Sequence, residues 1–248
     1  GDVYKRQLTD KVMIITGGAQ GMGEVHAKKA IAEGAKVVIT DINEEKGQKT
    51  SEALGEQALF IKHDVTKQED WERVVDQVLK QWDKIDVLVN NAGITYNQSI
   101  EELSLEDYMK IVNINQVSVF LGIKTVSRVM KQQENASIIN ISSMNGLVGG
   151  AIGYTDTKFA VRGMTKAAAS ALSPFNIRVN SVHPGVIQTP MLEQEDVKEA
   201  IQRFEKSIPM RRIAQPEEVS NLVCFLASDE ASYSTGSEFV ICLLYTSP

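Results

Sequence analysis

Short apolar runs alternate with longer amphipathic stretches along the chain. The runs are Val12–Thr16, Lys36–Thr40, Ala58–Ile61, Val87–Asn90, Ser137–Ile141, Arg178–Val182 and Glu238–Ile241. They are rich in Val and Ile, are bounded by turn residues and mostly fail to alternate in polarity. Strands buried on both faces of a parallel sheet read this way. Between them, Gly21–Glu33 carries Ala27, Ala30 and Ile31 at helical spacing, and Gln68–Gln81 places Trp71, Val74, Val75, Val78 and Leu79 on one face. Leu105–Met130 and Tyr154–Leu172 are longer helical patterns. Strand–helix alternation throughout predicts an α/β doubly wound parallel sheet of about seven strands, with helices on both faces and right-handed crossovers. No Pro/Gly/Ser linker or internal repeat divides it, so one domain is expected. The polar stretch Met191–Ile208 interrupts the alternation before the last strand, where a lid over a crevice could sit.

Composition narrows the picture. The 248 residues are 43% hydrophobic and 23% charged, with 17 Gly and 2 Cys. No apolar run reaches the roughly 18 residues of a membrane span. A net charge of −6 argues against a nucleic-acid surface and a polybasic membrane patch. Two Cys exclude a disulfide framework and a multi-Cys zinc site, and His26, His63 and His183 share no metal-ligand spacing, so no metal is expected. The N-terminus lacks an apolar signal core, which points to the cytoplasm.

Both ends read as foreign. Asp2-Val3-Tyr4-Lys5-Arg6-Gln7 is encoded by GATGTGTATAAGAGACAG. The reverse complement, read one base later, encodes Cys242-Leu243-Leu244-Tyr245-Thr246-Ser247 once a T follows. One short DNA, read from both strands, explains both termini and resembles a sequencing-library adapter. The expected domain is therefore 8–241, with 1–7 and 242–248 as non-native ends.

The first strand is followed by Thr16-Gly17-Gly18-Ala19-Gln20-Gly21-Met22-Gly23 and then a helix. Glycines let the backbone turn tightly and approach a pyrophosphate, whose charge a helix N-terminus favours. The second strand leads to Asp41 and Ile42, with Asp41 lying 18 residues past Gly23. An acid at that spacing accepts hydrogen bonds from the adenosine ribose and repels a 2′-phosphate. No basic residue immediately follows it, so NAD is expected over NADP. The bland alternative for Asp41 is a turn or helix cap.

The Gly-x-x-x-Gly-x-Gly spacing behind Thr16 resembles the short-chain dehydrogenase/reductase family, over essentially all of 8–241. Asp64-Val65 looks like that family's adenine-contacting pair. Asn90-Asn91-Ala92-Gly93 looks like its signature beside the cofactor. Pro184-Gly185 with Ile187, Thr189 and Pro190-Met191 looks like the stretch that holds the nicotinamide carboxamide. The resemblance implies a Rossmann-type sheet, a nicotinamide cofactor bound outside the carboxyl ends of the strands and a homotetramer.

Tyr154 and Lys158 open one helix four residues apart, so both can face one crevice. An ordinary tyrosine holds its proton to about pH 10, and a nearby ammonium lowers that value. Tyr154 is thus expected to exchange the proton, with Lys158 tuning it and holding the nicotinamide ribose. Alone, the pair is a common pattern on solvated helices; the cofactor motifs give it weight. A hydroxyl after the fifth strand can polarise a carbonyl oxygen. The family pattern favours Ser143 over Ser142, although Ser143 stands 11 residues before Tyr154 in a loop shorter than usual for the family, which leaves the choice open. Asn115, with Asn113 as its competitor, matches the family asparagine that kinks the long helix and orders a water leading to the lysine.

The expected function is NAD(H)-dependent interconversion of a secondary alcohol and a ketone, with Ser143, Met144 and Met191 at the substrate and an apolar pocket similar to those of hydroxysteroid and cyclic-alcohol dehydrogenases. His183 stands close enough to the cofactor stretch to line that pocket. Two other readings are a 3-oxoacyl-carrier-protein reductase, docking an acidic carrier through Arg128, Lys131, Arg211 and Arg212, and a non-catalytic NAD-binding sensor. The complete Ser/Tyr/Lys/Asn set argues against the sensor.

Overall fold

The computed structural model describes residues 7–96, 98–188, 205–206 and 208–242. Seven strands form one parallel sheet: β1 Val12–Thr16, β2 Lys36–Asp41, β3 Ala58–Lys62, β4 Val87–Asn90, β5 Ala136–Ile141, β6 Ile177–Pro184 and β7 Glu238–Ile241. Their order is β3-β2-β1-β4-β5-β6-β7. Every strand boundary lies within two residues of the apolar run that predicts it. The helices are α1 Gly21–Ala32, α2 Glu44–Leu54, α3 Gln68–Trp82, α4 Leu105–Val112, α5 Ser118–Met130, α6 Tyr154–Leu172 and α7 Pro216–Ala227.

Alternate residues of one strand feed two separate cores. Val12 and Ile14 pack with Trp71, Val74 and Val78 of α3, Val126 and Met130 of α5, and Val161 of α6. Met13 and Ile15 pack on the other face with Ala27 and Ala30 of α1 and Val219, Val223 and Cys224 of α7. The inner strands β1, β4 and β5 are buried at every residue, so their apolar side chains face both ways.

The sequence pattern gives Leu105–Met130 as a single helix. The structure breaks it with a π turn, Asn113–Val117, between α4 and α5. A π turn widens the helix by one residue, and such bulges gather at functional sites. The chain runs outward from β1 to β3 and then returns to place β4 on the other side of β1. The carboxyl ends of β1 and β4 therefore flank the switch point, where such sheets open a crevice.

Candidate active site

At that switch point, Thr16 Oγ1 accepts hydrogen bonds from the backbone N–H groups of Asn91 and Ala92, each 3.0 Å. Asn91 Nδ2 donates to the Thr16 carbonyl at 3.0 Å, tying the exit of β4 to the glycine turn. Gly17 has φ +64, and a Cβ there would meet Ala92 Cα at 3.0 Å; one on Gly23 would meet the Gly17 carbonyl oxygen at 2.3 Å. Only glycine fits at either position. Gln20, at the N-cap of α1, makes no side-chain capping bond among the described residues. The first N–H groups of α1, with Gly21 and Met22, are thus left for an anionic ligand. The turn, its two obligatory glycines and the uncapped helix fit a dinucleotide pyrophosphate.

Asp41 closes β2 toward this turn. Its Oδ2 accepts from Ala19 N–H at 3.3 Å and its Oδ1 from Asn43 N–H at 3.0 Å. The cap reading of Asp41 is therefore realised in the structure, in a position that also keeps its charge beside the glycine turn. Thr50 of α2 holds the Ala19 carbonyl at 2.8 Å. Lys46 of α2 hydrogen-bonds Gln20, which sets a cation near the end of the site that the sequence leaves acidic. Ile42 is exposed beside it. Asp64 Oδ1 accepts from Thr66 N–H and Oγ1 at 3.0 and 2.7 Å. Burial pushes the Asp64 carboxyl up, but the Thr66 bonds and Lys67 outweigh it and hold it below the usual range. The Val65 carbonyl accepts from the Trp71 indole at 2.9 Å.

The reactive groups gather where β5 and α6 meet. Ser142 donates to the Lys158 carbonyl at 3.1 Å and is spent on the α6 backbone. Ser143 instead acts on the Tyr154 phenol, which it favours in its ionised form, and its Oγ accepts Asn145 N–H at 3.1 Å. Lys158 is buried, and its Nζ donates to the Ile141 carbonyl at 2.9 Å. A Cβ on Gly93 would stand 3.4 Å from Asn115 Oδ1 and 3.5 Å from Lys158 Nζ, so these two polar atoms face one gap. Asn115, not Asn113, is the buried residue of the π turn, and its Nδ2 also reaches Thr157 Oγ1 at 3.3 Å.

Burial pushes the Lys158 amine down to about 8. Burial also raises the Tyr154 phenol above its ordinary 10, with the Ser143 hydroxyl working the other way. Lys158 Nζ stands 5.5 Å from the Tyr154 ring centroid, where an ammonium favours the phenolate, while burial favours the neutral phenol.

Pro184 ends β6. Beyond it Ile187 forms a bridge to Ala214 built from the Val186 carbonyl and the Gln188 N–H, which leaves Ile187's own N–H and C=O out of that bridge. Met144, Leu147 and Val148 are partly buried next to Ser143. Thr189, Met191 and most of the expected lid lie outside the described residues. His183 departs from its expected place on the pocket wall: it is fully buried. Sequence reasoning also misses a buried chain of amides that braces α6, in which Asn90 Nδ2 donates to Asn140 Oδ1 at 2.9 Å and Asn140 Nδ2 to Thr165 Oγ1 at 3.0 Å.

A family model described as enoyl-(acyl carrier protein) reductase, of the short-chain dehydrogenase type, matches residues 17–242. The chain is 46% identical over 239 residues to the 3-alpha-(or 20-beta)-hydroxysteroid dehydrogenase of Mycobacterium tuberculosis, covering 95% of this chain and 89% of that protein. It is 45% identical over 241 residues to the cyclopentanol dehydrogenase of Comamonas testosteroni, covering 95% and 96%. It is 40% identical over 246 residues to the trans-4-hydroxycyclohexanecarboxylate dehydrogenase of Sinomonas cyclohexanicum, covering 95% and 92%.

Proposed function

This chain belongs to the short-chain dehydrogenase/reductase family, oxidoreductases that act on CH–OH groups with a nicotinamide cofactor, and we propose that it is an NAD(H)-dependent dehydrogenase of cyclic secondary alcohols. The observation that carries this reading is the buried Lys158, whose Nζ stands 5.5 Å from the Tyr154 ring centroid at the end of β5 where Ser143 also lies. The nicotinamide, when bound, supplies or takes up the hydride. The chain's own groups handle the oxygen and the proton. Ser143 accepts Asn145 N–H, which leaves its O–H to donate to a substrate oxygen and stabilise developing alkoxide. Tyr154 gives the proton from Oη to that oxygen in reduction, and in oxidation its phenolate takes the proton from the alcohol. Lys158, with its amine pushed down to about 8 by burial, can resupply that proton as the ammonium in reduction and take the phenol's proton as the neutral amine in oxidation, with Asn115 beside it on the way to solvent.

Asp41 supports NAD over NADP, because its carboxylate opposes a 2′-phosphate. Two of the basic residues offered for an acyl-carrier surface already have partners. Arg212 is bound in a two-pronged pair by Glu218 at 2.7 and 2.8 Å, and Lys131 lies over the Phe175 ring. The partly buried Met144, Leu147 and Val148 suit an apolar ring, and the relatives named for hydroxysteroids and cyclopentanol support that class. A cytoplasmic homotetramer completes the reading; exposed Phe120 and Phe159 are the kind of apolar surface that assembly covers.

The test is a panel of cyclic alcohols and hydroxysteroids, run with NAD and NADP in parallel. Turnover of a cyclic alcohol with higher kcat/KM for NAD is expected, and Asp41→Ala should narrow the gap between cofactors. Equal or better use of NADP would overturn the role given to Asp41. Light scattering of the purified protein reads the assembly.

A further inference from the structure

The ladder between β5 and β6 ends where Ser142 N–H meets the Val182 carbonyl at 2.8 Å. One residue further, the chains part. β5 turns into the short 3-10 turn Met144–Gly146 that begins the substrate loop, and β6 runs on to Pro184. A single side chain spans that fork. His183 is fully buried; its Nδ1 lies 3.0 Å from the Ser143 carbonyl oxygen and its Nε2 lies 2.8 Å from Ser181 Oγ. A carbonyl oxygen only accepts, so the ring carries its proton on Nδ1, and Nε2 accepts from the Ser181 hydroxyl. The same Ser143 carbonyl accepts Gly146 N–H at 2.9 Å, which closes the turn. His183 thus holds the backbone of Ser143, the residue whose hydroxyl acts on the Tyr154 phenol, and it stands next to the Pro184-Gly185 stretch.

We propose that His183 is a positioning residue that sets Ser143 against Tyr154 by fixing the Ser143 carbonyl, and so aligns the proton-transfer groups with the cofactor end of β6. The catalytic part of this inference rests on the function proposed above; the structural part does not. Glu238, Arg162 and Lys158 are the charged groups that act on the ring, and burial holds it below its ordinary pKa, neutral at pH 7. The mechanism has no proton for His183 to carry. A hydrophobic residue would fill the volume without leaving two ring nitrogens to be satisfied, so the paired nitrogens are the feature that needs a reason.

Two substitutions separate the bonds. In His183→Asn the amide nitrogen falls near the place of Nδ1 and keeps the bond to Ser143. In His183→Gln it falls near the place of Nε2, keeping Ser181 and losing Ser143. Glutamine is the closer match in size, so a purely space-filling role favours it. The first readout uses neither cofactor nor substrate: hydrogen exchange over residues 143–150, with thermal unfolding of each variant alongside. Faster exchange in His183→Gln but not in His183→Asn is expected. The second readout is cyclopentanol oxidation with NAD. His183→Gln should lose kcat by about tenfold to a hundredfold, the scale of a small misplacement of reacting groups, with KM for NAD little changed, while His183→Asn stays near the wild type. Equal exchange and equal kcat in the two variants, or a better-preserved glutamine variant, would overturn the proposal. A wild type that oxidises no cyclic alcohol would count against the proposed function, and the exchange data would still decide the role of His183. If neither variant folds, nitrogen NMR of the wild-type imidazole decides it, since a ring protonated on Nε2 contradicts the bond to Ser143.

Discussion

Asn115 and Ile94 exchange two hydrogen bonds, Ile94 N–H to Asn115 Oδ1 and Asn115 Nδ2 to the Ile94 carbonyl, each 2.8 Å. The pair fastens the π turn of the long helix to the chain leaving β4. Asn115→Leu strands both Ile94 groups, and an unmade buried bond costs about 1–3 kcal/mol. A fall of several degrees in Tm is expected, with lower kcat because the Lys158 side of the site loses its wall. An unchanged Tm would show that the pair holds nothing together.

Gly93 sits between Asn115 Oδ1 and Lys158 Nζ, at distances that a methyl group tolerates. Gly93→Ala should therefore fold with a near-normal Tm while its methyl fills the gap between the two polar atoms. Turnover is expected to drop by about tenfold, as for other small displacements in a reactive site. Steady-state kinetics beside a melting curve check both halves of this expectation.

Lys158 makes stability depend on pH in a definite direction. Its folded pKa of about 8 lies below the ordinary 10.5 because burial penalises the ammonium. Below pH 8 the folded protein carries that buried charge at a cost. Between 8 and 10.5 the folded state releases the proton while the unfolded state keeps it, so this contribution to stability rises with pH. Lys158→Met should be more stable than the wild type by up to about 3 kcal/mol near neutrality, and the advantage should shrink toward pH 10. Urea unfolding at a series of pH values measures it; a constant difference across that range would contradict the assignment.

The fold is legible in the sequence because β-branched runs buried on both faces leave no other reading, and each strand is found nearly to the residue. α2 is not legible in the same way: Glu44–Leu54 is polar, and it buries only Gly47, Thr50 and Ser51. The periodicity of Leu105–Met130 continues through the π turn, and only the family resemblance of Asn115 points to a break there. The site's motifs stand at strand ends, where residue order alone groups them. The choice between Ser142 and Ser143 depends on which way each side chain leaves β5, and neighbouring residues leave in opposite directions. The role of His183 is invisible because its partner is a backbone carbonyl 40 residues away.

Acid should destabilise the protein through two buried histidines. His26 and His63 are each pushed down to about 4 by burial. Each is neutral when folded, so their contribution is present above pH 6.5 and is lost as pH falls through 4. Nδ1 of His26 pairs with Ser220 Oγ at 2.7 Å, and Nδ1 of His63 with Thr40 Oγ1 at 2.9 Å. The double variant His26→Asn/His63→Asn can keep those two bonds without a titrating ring. Its stability should fall less steeply between pH 6.5 and 4 in equilibrium unfolding. A slope equal to the wild type's would place the acid sensitivity elsewhere.

The most direct test of the account is NADH formation from a cyclic alcohol and NAD by the wild type and by Tyr154→Phe, with NADH binding measured on both by fluorescence titration. The ring still packs in the variant, and only the hydroxyl that exchanges the proton is gone. The account predicts a loss of turnover of about 10²- to 10⁴-fold with an unchanged Kd for NADH. A Tyr154→Phe enzyme that turns over near the wild-type rate would contradict it.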